Sequence, residues 1–373
     1  MPCPRGKGYA RRVPVQRDAR MSGESMRDIL TRYPSVAGNP LAMALMCVPL
    51  IERGLHADAY ALGQVALDIA SDDAPDHAVV RQLVHRALST SIPPFHLDML
   101  RDAVRNACYA EAIARAVRPG MRVLEIGTGA GLLAMLAARA GAEVVTCESN
   151  PMIAAAARDI VARNGLSDRI RVIARRSSEL RVGEDLEPCD LLVSEIFGDH
   201  LIEEGVVAAV DDARRRLLRA GAPIIPPRAE LRCALVADDR PVQPPLGTVM
   251  GFDLSPFAPL TKARRQMPRQ PSSRVALRSA PVAALGLDFT GAGRTLDDRI
   301  ALVSDGGRID GVAQWLRLDF GGGLVYENAP LGGTPSHWVA PIHPFATPLD
   351  TRPGQTIDIR VRAFGVYLVI GAA

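Results

Sequence analysis

Glu195 and Glu204 stand nine residues apart in Ser194-Glu195-Ile196-Phe197-Gly198-Asp199-His200-Leu201-Ile202-Glu203-Glu204-Gly205. They follow the apolar run Leu191-Leu192-Val193, which reads as a buried parallel strand. In an open α/β sheet the ligand crevice forms at the loops beyond the strands' carboxyl ends. Two carboxylates on such a loop can hold a planar cation from two sides, and a guanidinium matches paired carboxylates best. Loop carboxylates taken alone are ordinarily solvated, so the weight rests on what surrounds this pair.

Upstream, Val123-Leu124-Glu125-Ile126 runs into Gly127-Thr128-Gly129-Ala130-Gly131 and then into an alanine- and leucine-rich helix. The three glycines let the backbone pass close to a ligand that a Cβ would push away. A second strand, Glu143–Cys147, ends in Glu148, an acid about 20 residues past the turn and placed to accept from both ribose hydroxyls. The Gly-x-Gly-x-Gly spacing counts against a pyrophosphate cradle and fits a nucleoside ligand without phosphates, such as S-adenosylmethionine. A third unit runs through the helix around Pro151–Asn164 and the strand Arg169–Ala174 to Glu179, which stands where an adenine edge should lie. Before the sheet, the helix from Phe95 to Tyr109 carries Met99, Asp102 and Asn106 at helical spacing, with Arg105 three residues beyond Asp102. Arg105 could pair with a ligand carboxylate, although charged helix faces are usually solvated.

The stretch from Phe95 through Tyr109, Val123–Gly131, Glu148, the Ser194–Gly205 loop, Gly251–Phe257 and Ser336-His337-Trp338 together resemble the protein arginine methyltransferases. The resemblance covers residues 91 to 373, with the motifs in the family's order. It implies an α/β fold: a seven-stranded Rossmann-like class I methyltransferase domain followed by an all-β, barrel-like domain. S-adenosylmethionine is the implied cofactor, held by His96, Met99, Arg105, Glu125, Gly127, Gly129, Glu148 and Glu179. In that assignment Arg105 binds the methionine carboxylate, Glu148 the ribose and Glu179 the adenine, with Met99 beside the methyl group. Glu195 and Glu204 become the clamp on the substrate guanidinium. His337 and Asp102 orient the site or carry away a proton, and Trp338 contacts substrate. The Ser-Glu-Ile-Phe loop is more similar to the branch making monomethyl or symmetric dimethylarginine. Two departures stand out: Arg86 and Thr90 occupy positions where many members carry a tyrosine pair, and Val339-Ala340 follows Trp338 where many have a glutamine.

These residues need elements to position them, and the chain has 373 residues, room for two or three domains. A hydrophobic fraction of 48% beside 23% charged residues is that of a water-soluble globular chain, with no apolar run of membrane-spanning length. A net charge of +3 leaves no nucleic-acid footprint. Lys262, Arg264, Arg265, Arg269 and Arg274 form a basic cluster that reads as a mobile surface loop. Six cysteines without metal spacing point to a reducing cytoplasm and no structural metal. Residues 1–20 read as a disordered extension and 21–90 as a helical, tetratricopeptide-like segment, either a cap or a docking surface. The cofactor-binding domain is expected at 91–225 and the β domain at 226–373, where Ile357–Val369 reads as a strand-like run with period-two alternation over Ile357–Arg362. The family resemblance implies a homodimer and a protein substrate with an accessible arginine. A lysine or α-amine of a ribosomal protein, or a small-molecule amine or guanidine, remains an open acceptor. A degenerate helical scaffold is the non-enzymatic alternative.

Overall fold

The structure is a computed structural model that describes residues 23–70, 76–241, 247–260, 265–291, 293–296, 299–333 and 335–373. The expected extension at 1–20, together with Lys262 and Arg264, lies outside them. The described residues form two compact units, 23–196 with 208–225, and 197–207 with 226–373. We call them the sheet–helix unit and the β unit.

The sheet–helix unit opens with four helices, α1 (Gly23–Arg32), α2 (Pro40–Glu52), α3 (His56–Ile69) and α4 (His77–Ser89). Asn39 caps α2 by accepting from the Ala42 N–H at 3.0 Å, and Pro40 takes the first helical position, where a missing N–H costs nothing. Then come α5 (Phe95–Arg101), α6 (Ala103–Ala116), β1 (Arg122–Ile126), α7 (Leu132–Arg139), β2 (Glu143–Cys147), α8 (Pro151–Arg163), β3 (Ile170–Ile173), β4 (Leu191–Ser194), α9 (Val206–Arg216) and β5 (Ile224–Ile225). Met43, Leu50, Leu62, Val65 and Val84 of the first helices share one buried core with Met152 of α8. Tyr60 adds a hydrogen bond to Asp159 of α8 at 3.2 Å. The amino-terminal helices are therefore built into this unit.

The parallel sheet has the order β3-β2-β1-β4-β5. Chain order reverses between β1 and β4, the place where an open α/β sheet binds its ligand. All four residues of β4 are buried, as a strand covered on both faces requires. Seven strands were expected; the sheet of the described residues has five. The chain leaves it through Pro226-Pro227, which lack the N–H groups needed to extend a ladder, and enters the β unit.

The β unit contains β6 (Arg228–Asp238), β7 (Thr248–Val249), β8 (Phe252–Asp253), β9 (Arg265–Gln266), β10 (Val275–Leu277), β11 (Val282–Asp288), β12 (Gly293–Leu296), β13 (Arg299–Val303), β14 (Gly307–Asp319), β15 (Val325–Glu327), β16 (Pro341–Thr351), β17 (Thr356–Phe364) and β18 (Tyr367–Ala372). All pair antiparallel. An eight-stranded sheet follows the path β12-β11-β6-β14-β16-β9, with β10 on β6 and β15 on β14, beside a three-stranded sheet β13-β17-β18 and the hairpin β7-β8. Its core gathers Val236, Val275, Trp315 and Ile342. Two readings change here. The run Ile357–Val369 is two strands, because Gly365, at φ +61°, turns the chain back on itself. The basic stretch is partly strand: Arg265 lies in β9 with its Nε 2.9 Å from Asp238. Among the described residues no helix is long and apolar enough to cross a membrane.

Candidate active site

At the carboxyl end of β1 the chain must turn sharply into α7. Gly127, Gly129 and Gly131 all adopt positive φ (87°, 49° and 78°), which L side chains rarely take. A Cβ on Gly127 would lie 2.6 Å from Ile196 Cγ2, so the close approach of this turn to the loop after β4 excludes any side chain. The Gly127 and Thr128 N–H groups donate to Cys147 O, which moors the turn to β2. Thr128 and Thr146 share a 2.6 Å hydroxyl contact, and Thr146 donates to Glu125 Oε2 at 2.6 Å. Glu125 is 1% exposed, and burial pushes its carboxyl up to about 8, against the pull of the Thr146 hydrogen bond. It is therefore protonated at neutral pH and sits beneath the turn as a neutral support.

Glu148 follows β2 directly. Its Oε2 accepts from the Gly129 N–H at 3.1 Å and its Oε1 from the Asn150 N–H at 2.9 Å. Asn150 in turn caps α8 through Oδ1 and donates from Nδ2 to Ser91 O at 2.9 Å, linking this end of the sheet to the helical segment before α5. On α5, Met99 Cε would be 3.7 Å from a Cβ on Gly129. His96 is half-buried, and burial lowers its pKa while the Glu148 charge opposes that shift. The structure thus brings His96, Met99, Gly127, Gly129 and Glu148 around one turn. Glu179, beyond β3, is exposed on a short 3-10 turn and accepts from the Arg176 N–H at 2.8 Å.

Asp102 is 2% exposed and caps α6 by accepting from the Arg105 N–H at 3.0 Å. Its position fixes the first turn of the helix that carries Arg105. Arg105, itself 2% exposed, pairs with Glu195 at 2.5 Å, and its Nε and other terminal nitrogen donate to Asn106 Oδ1. A guanidinium has more N–H groups than these two partners use. Tyr109, one turn on, donates to Ser194 O at 3.1 Å, and the Ser194 hydroxyl donates to Ile126 O at 3.1 Å. So Glu195 stands at a strand end tied to both α6 and β1.

Beyond Glu195 the chain passes into the β unit, where residues 197–207 form a tight turn. Phe197, Leu201, Ile202 and Val206 are buried anchors. Leu201 takes φ +68°, a conformation costing roughly 1–3 kcal/mol for a residue with a Cβ and kept only when its surroundings enforce it. Trp338, 4% exposed, donates from Nε1 to Phe197 O at 2.6 Å, and the Val339 N–H donates to Asp199 Oδ1 at 3.0 Å. His337 stacks against Trp338 with ring centroids 4.1 Å apart. Glu203 accepts from the His200 N–H at 3.2 Å and leaves no room for a Cβ on Gly198, which would meet its carboxylate at 2.6 Å. Glu204, next in the chain, is exposed. Thr128, Thr146, Asn150, Gln314 and His343 carry no sequence signal for these roles, apart from the Asn-Pro start of α8.

The family described as ribosomal protein L11 methyltransferase (PrmA) matches residues 106–221. The arginine N(omega)-methyltransferase of Streptomyces achromogenes subsp. streptozoticus is 32% identical over 363 residues, spanning 94% of this chain and 95% of its own length. The chain belongs to the arginine N-methyltransferase family. Protein arginine N-methyltransferase 7 of Oryza sativa subsp. indica is 43% identical over 145 residues, 36% of this chain and 20% of that protein. Among solved structures, a Trypanosoma brucei PRMT1 enzyme–prozyme heterotetramer with AdoHcy matches with a TM-score of 0.62 and 24% identity, over 73% of this chain and 89% of that one. That likeness shows the shared fold, a Rossmann-like unit with a parallel sheet and a β-rich unit. In this arginine N-methyltransferase the family's tyrosine positions fall at the end of α4, where the Thr90 hydroxyl donates to Ala87 O at 2.7 Å.

Proposed function

We propose that this chain transfers a methyl group from S-adenosylmethionine to a guanidino nitrogen of arginine. The observation that carries the reading is the buried Arg105–Glu195 pair beside the Gly127–Gly131 turn and Glu148. The residues fit the cofactor: a turn that no side chain can fill, a carboxylate with lone pairs to spare, and a buried arginine with further donors. Glu148 would accept from the ribose hydroxyls, Arg105 would hold the methionine carboxylate, and His96, Met99, Gly127 and Gly129 would line the space between. Glu125 would support the turn from below, and Glu179 would reach the adenine. When bound, the cofactor supplies an electrophilic methyl on a sulfonium.

The chain's own task is to present a guanidinium nitrogen to that methyl in line. A guanidinium stays protonated, with a pKa above 12, and its delocalised lone pairs make it a weak nucleophile. In this reading Glu195 and Glu204 hold two of its nitrogens, draw positive charge onto them and leave the third to attack. Arg105, paired with Glu195, keeps that carboxylate aimed. His337 and Asp102 would orient the site or accept the released proton, and Trp338 would contact the acceptor. The β unit is read as barrel-like, and its exposed Met250, Phe252 and Phe257 support a homodimer. A cytoplasmic location and a monomethyl or symmetric dimethyl product complete the proposal. The core shared by the first helices and α8 supports a structural cap over a docking surface.

The test is transfer of labelled methyl to arginine-containing peptides, to free L-arginine and to lysine-containing peptides, with Glu195→Gln alongside. Methylarginine that disappears in the variant supports the reading; label in lysine alone refutes it. A second reading takes free arginine or another small guanidine as acceptor. It is favoured by the relative spanning nearly the whole chain, which is named for arginine rather than for a protein arginine. Label in free arginine with none in peptides selects it.

A further inference from the structure

Behind the exposed Glu204, the turn that carries it is tied to the β unit by three side chains that the reaction itself does not use. Gln314 of β14 is 0% exposed. Its Nε2 lies 2.9 Å from Asp199 O and 2.8 Å from His200 Nδ1, and its Oε1 lies 2.8 Å from Nε2 of His343 on β16. Two strands set this up. Val312 pairs with His343 across the ladder, so His343 and Gln314 lie diagonally on one face. The register shift beside Gly311, where a Cβ would strike His343 O at 2.3 Å, brings the strands close enough.

The hydrogen-bond directions are forced. An amide nitrogen only donates, so both its hydrogens are engaged, one by Asp199 O and one by a bare His200 Nδ1. His343 must then donate from Nε2 to the amide oxygen. Turning the amide over would set its oxygen against the Asp199 carbonyl. The bare Nδ1 puts the remaining His200 proton on Nε2, 3.7 Å from Glu203 Oε1. The bond from Nε2 leaves the second His343 nitrogen open, and burial, which holds this ring down at about 4, keeps it uncharged near neutral pH.

We propose that Gln314, with His200 and His343, is a positioning residue that fixes the Asp199–Glu204 turn for acceptor binding. This rests on the reading of Glu204 as a guanidinium-binding carboxylate. The brace overcomes the strain at Leu201, because without it Asp199 O and two ring nitrogens would lose their partners in the interior.

The experiment compares His200→Leu, His200→Asn and Gln314→Met with Glu204→Gln in the full chain. An asparagine Oδ1 can accept where His200 Nδ1 does; leucine cannot. His200→Leu and Gln314→Met are expected to lower kcat/KM for the arginine acceptor by about thirtyfold or more, since a displaced positioning group can cost on the order of a hundredfold. The affinity for S-adenosylmethionine should stay within about twofold of the parent in both variants, and His200→Asn should recover most of the loss, to within about threefold. Full acceptor activity in His200→Leu, or an equal loss in His200→Asn, overturns the proposal. Should Gln314→Met fail to fold, imidazole nitrogen NMR of the unsubstituted protein decides. A protonated His200 Nδ1 or a bare His343 Nε2 overturns the brace, and the opposite tautomers support it. Glu204→Gln separates the two levels: an active Glu204→Gln refutes the reading of Glu204, whereas an inactive one beside an active His200→Leu refutes the brace alone.

Discussion

Glu195 and the turn that presents Glu204 are neighbours in sequence but are held by opposite kinds of force. Glu195 sits at the end of a fully buried strand, its side chain 6% exposed and paired with an equally buried arginine. Two charges removed from water cost several kcal/mol each, and only their mutual attraction and added hydrogen bonds return it. The Glu204 turn is held mainly by an amide, two imidazoles, an indole N–H, the Asp199 carboxylate and backbone groups. These hydrogen bonds, together with buried Leu201 and Ile202, hold Leu201 at its positive φ. A charge pair of this type collapses when one member is removed. A spread hydrogen-bond network loses its pieces more gradually and depends on each imidazole keeping the right tautomer. The pH signs differ as well, because a buried carboxyl supports the sheet–helix unit and a buried imidazole supports the β unit.

The most severe way to break the comparison is at the charge pair. Arg105→Met is expected to lower stability by about 3–5 kcal/mol, because the buried Glu195 loses its countercharge. Adding Glu195→Leu should restore most of that loss while activity stays absent. Denaturant melts of the single and double variants check this, and equal instability in the two would show that the pair's charge is not what matters. Next comes Glu195→Gln, and Glu204→Gln with it: turnover should fall at least about a hundredfold, ~2.7 kcal/mol, measured on the acceptor identified by the transfer assay.

The third prediction uses pH. Glu125 is protonated in the folded chain up to about pH 8, whereas an unfolded glutamate loses its proton in the ordinary carboxylate range. Its contribution is fully present below that range and is lost as pH rises towards 8, a decline on the order of a few kcal/mol. Burial of His343 acts in the opposite sense: its folded value of about 4 lies below that of an unfolded histidine, so stability falls as pH drops through about 6 towards 4. Glu125→Gln should flatten the alkaline decline and His343→Gln the acid one, in melts at pH 5, 6, 7 and 8. Unchanged slopes in both would remove the pH contrast. The mildest change is Glu203→Gln. Its oxygens support the turn from a partly exposed position, so kcat/KM should stay within about threefold.

Much of the sheet–helix unit was legible because its signals are local. A hydrophobic run, a glycine turn, an acid at the next strand end and an Asn-Pro helix start each follow from a few adjacent residues, and they located β1, β2, Glu148 and α8. The β unit was legible only as alternation. Its strands pair at long range, so neither the turn at Gly365 nor the register shift beside Gly311 could be read from the runs themselves. The boundary drawn at residue 225 is likewise a local reading, whereas residues 197–207 are assigned by their contacts with the β unit.

By itself the sequence determined the backbone chemistry: where only glycine could turn, where acids stood at strand ends, and that two carboxylates followed the fourth strand. Local covalent geometry and hydrophobic period suffice for that. Tertiary structure alone decided the partners. That Arg105 meets Glu195 across ninety positions, and that Gln314 reaches His200 across more than a hundred, depends on helix and strand packing that brings distant segments within 3 Å. Hydrogen bonds and ion pairs act only over such distances, so which polar side chain holds which carboxylate is settled after the chain has folded.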